Sequence, residues 1–347
     1  MHGIRRNCEF VQRAKPSLGR EPFTLIDIGC AGGLDAGWRL WEEKLHAFAF
    51  DANLDECGRL TAAETLAGVG YIPAFVGLRR NHPFAIAKAG RKHIENSPWE
   101  RFSAPRSQRI RQRAAASGSP IEAEPVEAGL NTGVRLADEG CSVFLPEFFA
   151  QQQIDSVDFI KLDADGPDFE ILHSLEFEFD RAHVLAVGME VNFIGSAAET
   201  DHTFHNTDRF LRERGFDLFQ LSIRRYSSAA LPARYVWRYP AETHGGRPVQ
   251  GDALYVRDVC SPNSAGFAAA LTPEKLLKTA AIFALFDVPD CAAEILVGFR
   301  PRLAAICDVD RLLDTLAAQA QEGAESPLSY RDYLAAFERN DDTFYSR

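Results

Sequence analysis

The chain has 347 residues, 46% of them hydrophobic, and a formal net charge of -11 at pH 7. That length and composition allow a large buried core, while the acidic balance argues against a general nucleic-acid binder, because phosphate binding needs clustered Lys and Arg. No apolar run approaches the roughly 20 residues that span a bilayer, and MHGIRRNCEF lacks the apolar centre of a signal peptide, so the cytoplasm is the expected compartment. Seven scattered cysteines, with no C-x-x-C pair, read as ordinary reduced thiols.

From residue 23 short β-rich runs alternate with helical stretches: FTLIDIG, HAFAFDA, a helical DECGRLTAAETLAG, then YIPAFVG. This rhythm predicts βαβ units in a parallel sheet. Near Leu78 it gives way to an Arg- and Lys-rich stretch punctuated by Pro, Ser and Gly, read as an insertion over about 78–140. Order resumes with a helix in VFLPEFFAQQQ, a buried strand in VDFIKLDADG, a helix from Asp168, a strand in VLAVGMEVNF and a helix in TDRFLRERG, closed by Gly215. Strands in DLFQLSI and DALYVRD bring the total to seven, with the last expected to run antiparallel. The remainder is helical in pattern: TPEKLLKTAAIFALF, CAAEILVGF, RLLDTLAAQAQ and YRDYLAAFER. The resulting division is an N-terminal segment 1–22, an α/β domain 23–258 and a helical extension 259–347.

The strongest local signal is Asp27-Ile28-Gly29-Cys30-Ala31-Gly32-Gly33, directly after the first strand. Glycines there let the backbone turn sharply and approach a ligand, and a helix opening at that point would offer unpaired N–H donors to a carboxylate. An Asp stands where dinucleotide-binding turns carry their first glycine, which suits a ligand with a cationic amino group better than a pyrophosphate. About twenty residues on, the second strand ends in Asp51 followed by Ala52, where a carboxylate can accept both ribose hydroxyls. A nicotinamide dinucleotide, the ligand of a rival oxidoreductase reading, would want the missing glycine.

At DFIKLDADGPDFEIL the chain resembles the FkbM family of methyltransferases, whose motif is similar to K-I-D-x-E-G-x-E-x-x-I-L. Lys161, Asp163, Gly166 and Ile171-Leu172 match; Asp165 is a conservative replacement, and Glu170 stands slightly shifted. The likeness extends to DIGCAGGL with Trp38, FDANLDECGRL, Glu190 in VLAVGMEVNF, FLRERGFDLFQL and GDALYVRD. Pro146 replaces an acidic residue that many relatives carry. The resemblance implies a class I methyltransferase (Rossmann-like) fold with helices on both sheet faces, S-adenosyl-L-methionine as cofactor, and O-methylation of a hydroxyl on a sugar, glycan or secondary metabolite.

Methyl transfer from a sulfonium is an in-line displacement that depends chiefly on alignment, but a sugar hydroxyl also needs help in shedding its proton. Asp163, Asp165 and Glu190, with Asn192, stand at the carboxyl ends of the fourth and fifth strands, where open α/β sheets bind ligands. Period-two alternation puts Lys161 on one face with Asp163, and a buried lysine in mid-strand needs a partner, for which Glu190 on the next strand is the candidate. Asp163 is read as base or orienter, and Lys161, Asp165 and Glu190 complete the catalytic set. Asp163, Glu190 and Asn192 also have the oxygen donors that Mg²⁺ takes. His202 and His205 have a spacing open to a transition metal, although a hydrogen-bonded loop pair is the simpler reading. His173 and His183, beside apolar runs, read as structural.

Ten Arg and Lys between Arg79 and Arg113 would draw an anionic acceptor, such as a phosphorylated or nucleotide-linked sugar, unless that stretch is only a solvated loop. The apolar faces of the C-terminal helices would suit a homodimer. In a reading of a different class, the same helices would be the partner surface of a binding protein that keeps the fold without turnover.

Overall fold

The computed structural model describes residues 4–89, 135–137, 142–164, 166–226 and 245–340. Seven strands form one sheet: β1 (Phe23–Ile28), β2 (Leu45–Asp51), β3 (Val69–Pro73), β4 (Phe159–Leu162), β5 (Ala186–Asn192), β6 (Asp217–Tyr226) and β7 (Arg247–Val256). Their order is β3-β2-β1-β4-β5-β7-β6, with β7 antiparallel to both of its neighbours and the other pairings parallel. This is the seven-stranded, mostly parallel sheet expected from the sequence.

Alternation along the strands assigns every side chain to one of two layers. Ile26, Ile28, Phe50, Ile160, Leu162, Val187, Met189 and Tyr255 face the helices Leu145–Gln151, Asp168–Ser174 and Phe204–Arg212. Gly215, at φ +80°, ends the last of these with the left-handed stop that its position predicted. Phe23, Leu25, Ala47, Ala49, Phe159, Ala186, Leu254 and Val256 face the opposite way and pack with the C-terminal helices.

That second layer holds the main departure from the sequence reading. No α-helix opens at the glycine turn; only a short 3-10 run, Trp38–Lys44, follows it, kinked at Glu42 where φ is +50°. The local sequence explains this. Asp35 Oδ1 accepts the Gly37 N–H at 2.8 Å, and a Cβ on Gly37 would lie 2.1 Å from Ile4 Cγ2, so the chain is pinned against the N-terminal segment. Trp38 and Trp41 then turn inward and stack on Phe23, with ring centroids 5.6 and 4.4 Å away.

The expected C-terminal helices cover this face. Helix Pro273–Leu285, capped by Thr272, is buried from Lys275 to Leu285, and helices Pro289–Gly298 and Val309–Ala320 back it. Phe159 of β4 stacks on Phe286 at 5.5 Å. Two lysines on this mostly apolar helix meet one fully buried carboxylate at the amino ends of β1 and β4. Lys275 Nζ donates to Asp158 Oδ1 at 2.7 Å, and Lys278 Nζ donates to Asp158 Oδ2 at 3.1 Å and to Glu21 Oε1 at 2.7 Å. The Thr24 N–H also donates to Asp158 Oδ2, at 2.7 Å, which ties β1 into the cluster.

Of the stretch 78–140, the described parts are the residues through helix Pro83–Ala89 and the short return at 135–137, which bridges antiparallel to Asn53. Its basic run from Arg91 to Arg113 lies outside the described residues. Among the described residues no helix is long and apolar enough to cross a membrane.

Candidate active site

On the face covered by the C-terminal helices each strand changes character toward one end. Along β1 the inward residues run Phe23, Leu25, Asp27; along β2, Leu45, Ala47, Ala49, Asp51; along β4, Phe159, Lys161, then Asp163 just beyond the strand. β5 continues with Ala186, Gly188, Glu190 and Asn192, and the antiparallel β7 brings Asp252 and Gln250 opposite those last two. The apolar half carries the helices, and the polar half gathers the residues singled out in the sequence.

The glycine turn is built into the sheet more tightly than expected. Gly29 and Cys30 N–H both donate to Phe50 O, at 2.9 and 3.1 Å, Gly33 N–H donates to Cys30 O at 2.9 Å, and Gly32 N–H donates to Glu56 Oε1 at 3.1 Å. The expectation that a helix start here presents unpaired N–H donors is therefore corrected: these four are used by the protein, and no helix follows. Cys30 is buried, and burial, the largest effect on it, pushes its thiol far above the usual range, so it serves packing. Gly29 has φ +83°, and a Cβ there would lie 1.8 Å from Asp163 O; at Gly32, φ +85°, a Cβ would meet nothing within 4 Å. The turn thus presses one glycine against the end of β4 and leaves Ala31 and Gly32 on an exposed shelf.

Asp51, at the end of β2, is partly buried; its Oδ1 accepts the Asn53 N–H at 2.8 Å, which orients the carboxylate, and Ala52 O accepts the Ala137 N–H at 2.8 Å. Asn53 in turn caps helix Leu54–Ala63 through Glu56 N–H at 3.0 Å.

The partner of Lys161 also differs from expectation. Its Nζ lies 2.9 Å from Asp27 Oδ1, 2.8 Å from Gly29 O and 3.6 Å from Asp163 Oδ2, not against Glu190. Register is the reason: Asp27 of β1 is the direct neighbour of Lys161, whereas Gly188 stands opposite it on β5. Asp27 is buried in this pair, so the cation it meets is the protein's own lysine and not an exposed ligand group. Burial would lower the Lys161 pKa, but Asp27 and Asp163 outweigh it and hold the ammonium above the ordinary lysine value.

Glu190 belongs to a second polar cluster. Its Oε2 accepts from Arg224 Nη2 at 2.9 Å and its Oε1 from Gln250 Nε2 at 2.9 Å, while Asp252 lies 3.4 Å from the same Arg224. Sequence reading missed Arg224, Gln250 and Asp252 because only the insertion of β7 between β5 and β6 brings them together. Their signal was weak: Gln250 and Asp252 share one face of β7 with Leu254 and Val256, but Arg224 shares its face of β6 with Ser222 and Gln220, as an ordinary exposed strand face would. Asn192 stands beside His202, with Nδ2 3.4 Å from Nδ1, and His202 Nε2 donates to Glu190 O at 3.1 Å. Burial lowers the His202 pKa, consistent with that neutral tautomer. His205 instead lies 3.1 Å from Thr203 Oγ1 and is exposed, so the two histidines do not converge. His173 stacks on Phe84 at 3.9 Å and burial lowers its pKa to about 3, as befits a structural histidine.

Asp163 stands at the mouth, its side chain 33% exposed, and its N–H donates to Ile28 O at 2.9 Å. Asp165 lies outside the described residues. Asp168, expected only as a helix start, closes the loop by accepting from Ala164 N–H at 2.7 Å and Gly166 N–H at 3.4 Å. The Mg²⁺ reading finds no support: among the described residues no group of three or more His, Cys, Asp or Glu could hold a metal ion, and Glu190 and Asn192 have the partners just given.

The strand order with its reversed β7, and the glycine turn followed by Asp51, define the fold of a class I methyltransferase. Residues 82–218 match the family model of the methyltransferase FkbM domain, the family that the β4 motif led us to expect. The match takes in β4, β5 and the start of β6; the glycine turn and Asp51 precede it. No curated protein matches the sequence. Among solved structures, the chain is similar to a SAM-dependent methyltransferase from Aquifex aeolicus, at 11% identity, covering 71% of this chain and 89% of that one, with a TM-score of 0.28. A TehB-like SAM-dependent methyltransferase from Corynebacterium glutamicum gives 9% identity, 72% and 87% coverage and a TM-score of 0.27. A complex of the Trm112 methyltransferase activator with a methyltransferase from Haloferax volcanii gives 12%, 72%, 90% and 0.30. The fold assignment comes from the strand order and direction of this chain's own sheet.

Proposed function

We propose that the protein transfers a methyl group from S-adenosyl-L-methionine to a hydroxyl of a sugar, glycan or secondary metabolite. The observation that carries this reading is the contact between Gly29 and the end of β4: it sets the donor turn, with Asp51 beside it, directly against Asp163 on one polar sheet face. The shelf at Ala31 and Gly32 suits such a nucleoside, since a side chain at Gly32 would fill the space it leaves, and Asp51 would accept the ribose hydroxyls. Bound there, the donor supplies an electrophilic methyl carbon on a positively charged sulfur.

The protein's part is to align an acceptor oxygen with that carbon and to receive its proton. Asp163, partly exposed at the mouth, is the group we assign to the proton, with Asp165 next to it in sequence as a candidate helper. Glu190, with Gln250, Asn192 and Arg224, would line the acceptor side and orient its hydroxyls. The basic run between Arg79 and Arg113 supports an anionic acceptor, such as a phosphorylated or nucleotide-linked sugar.

The test is a transfer screen with labelled donor against nucleotide sugars, glycans and glycolipids, with and without Mg²⁺, comparing wild type with Asp163→Asn. Transfer by the wild type and a loss of at least about a hundredfold in the variant is the expected result for removal of a general base. Equal transfer by both would remove Asp163 from the chemistry.

A further inference from the structure

Lys161 is a strand residue, yet its ammonium reaches into the turn that follows a different strand. Three links join that turn to the end of β4: Asp163 N–H to Ile28 O at 2.9 Å, the packing of Gly29 against Asp163 O, and Lys161 Nζ to Gly29 O at 2.8 Å. Only the last depends on a side chain. The same nitrogen is 2.9 Å from buried Asp27 and 3.6 Å from Asp163. An ammonium ringed by a carbonyl and two carboxylates has no lone pair to offer, so Lys161 cannot be a base here. It donates instead to the end of β1 at Asp27 and to the glycine turn at Gly29, and lies within ion-pair distance of Asp163 at the end of β4, the three segments whose relative placement decides where a donor and an acceptor would meet.

We propose that Lys161 is a positioning residue, which fastens the Gly29 carbonyl and the Asp163 carboxylate to one nitrogen so that donor affinity and the placement of Asp163 are set together. The role rests on the donor reading given above. It accounts for a largely buried cation in a half-polar strand.

Lys161→Met alone strands Asp27 as a buried, unpaired carboxylate and would confuse unfolding with lost positioning. The informative variant is therefore Asp27→Asn with Lys161→Met, which removes both charges, accompanied by Lys161→Arg, which keeps the cation. Each is measured by denaturant unfolding, by titration calorimetry with S-adenosylmethionine and with its demethylated product, and by hydrogen exchange at the Gly29, Cys30 and Asp163 amides. We expect the double variant to unfold near the wild-type midpoint, to bind both nucleosides at least about tenfold more weakly, and to exchange those three amides faster, with Lys161→Arg recovering much of the affinity. A well-folded double variant with wild-type affinity and exchange would overturn the positioning role alone. A wild-type protein that binds neither nucleoside would overturn the donor reading and this role with it.

Discussion

β1 and β4 carry a lysine–carboxylate cluster at each end, and the two are built differently. At the amino ends, Asp158 is wholly buried between Lys275 and Lys278, with Glu21 completing an even balance of two cations and two carboxylates. At the carboxyl ends one lysine stands between two carboxylates, and one of those, Asp163, reaches solvent. Closed on all sides, the first cluster clamps a helix to a sheet; partly open, the second brings a carboxylate to the surface where a ligand can reach it. The same residue types on the same strands thus hold the fold at one end and present chemistry at the other.

The largest expected effect comes from breaking the closed cluster. Asp158→Ala leaves two buried ammonium groups without their shared partner and should cost about 3–5 kcal/mol, read from urea unfolding. Little change would mean that water reaches those lysines and that the two ends are not so different. Next comes Gly29→Ala, which combines a left-handed residue with a Cβ driven into Asp163 O. It should cost about 1–3 kcal/mol in backbone strain and should abolish measurable donor binding in calorimetry.

Acidification sharpens the contrast. Although burial alone would raise it, Lys275 and Lys278 hold the Asp158 pKa below its ordinary value. A carboxylate lowered in the native state contributes stability that is complete above the unfolded pKa of about 4 and is lost as pH falls through the native value. The wild-type unfolding free energy should therefore drop steeply below about pH 4, and Asp158→Asn should flatten that slope. At the open cluster, Asp163→Asn should change stability by less than about 1 kcal/mol, since its side chain is partly exposed and its link to Lys161 is long. Asn53→Ala, which removes a helix cap beside Asp51, should cost about 1 kcal/mol by the same measurement.

Local signals read true where one segment of chain decides the outcome. The seven strands follow from period-two patterning, the turn from its glycines, the helix stop at Gly215 from its position, and the carboxylates at the β4 and β5 ends from strand polarity. What escaped was decided between segments. Lys161 pairs with Asp27 because β1, not β5, supplies its charged neighbour in register, which no single strand records. Arg224, Gln250 and Asp252 meet Glu190 because the last strand enters between β5 and β6. The helix expected after Gly33 is displaced by contacts of Gly37 with Ile4 and of two tryptophans with Phe23. The closed cluster did leave a trace: Lys275 and Lys278, three apart on a mostly apolar helix, are a sign of a buried anion waiting elsewhere.

Because helix Pro273–Leu285 lies on the strands that begin at Phe23, synthesis on the ribosome must pass residue 285 before this face of β1 and β4 is sheltered from water. Until then Trp38 and Phe159 lack Phe286, on which both pack, a state in which chaperones and proteases compete for the nascent polypeptide. Nascent chains halted near residue 260 should accordingly be cut rapidly by protease, and those halted well beyond residue 320, with that helix clear of the exit tunnel, should resist.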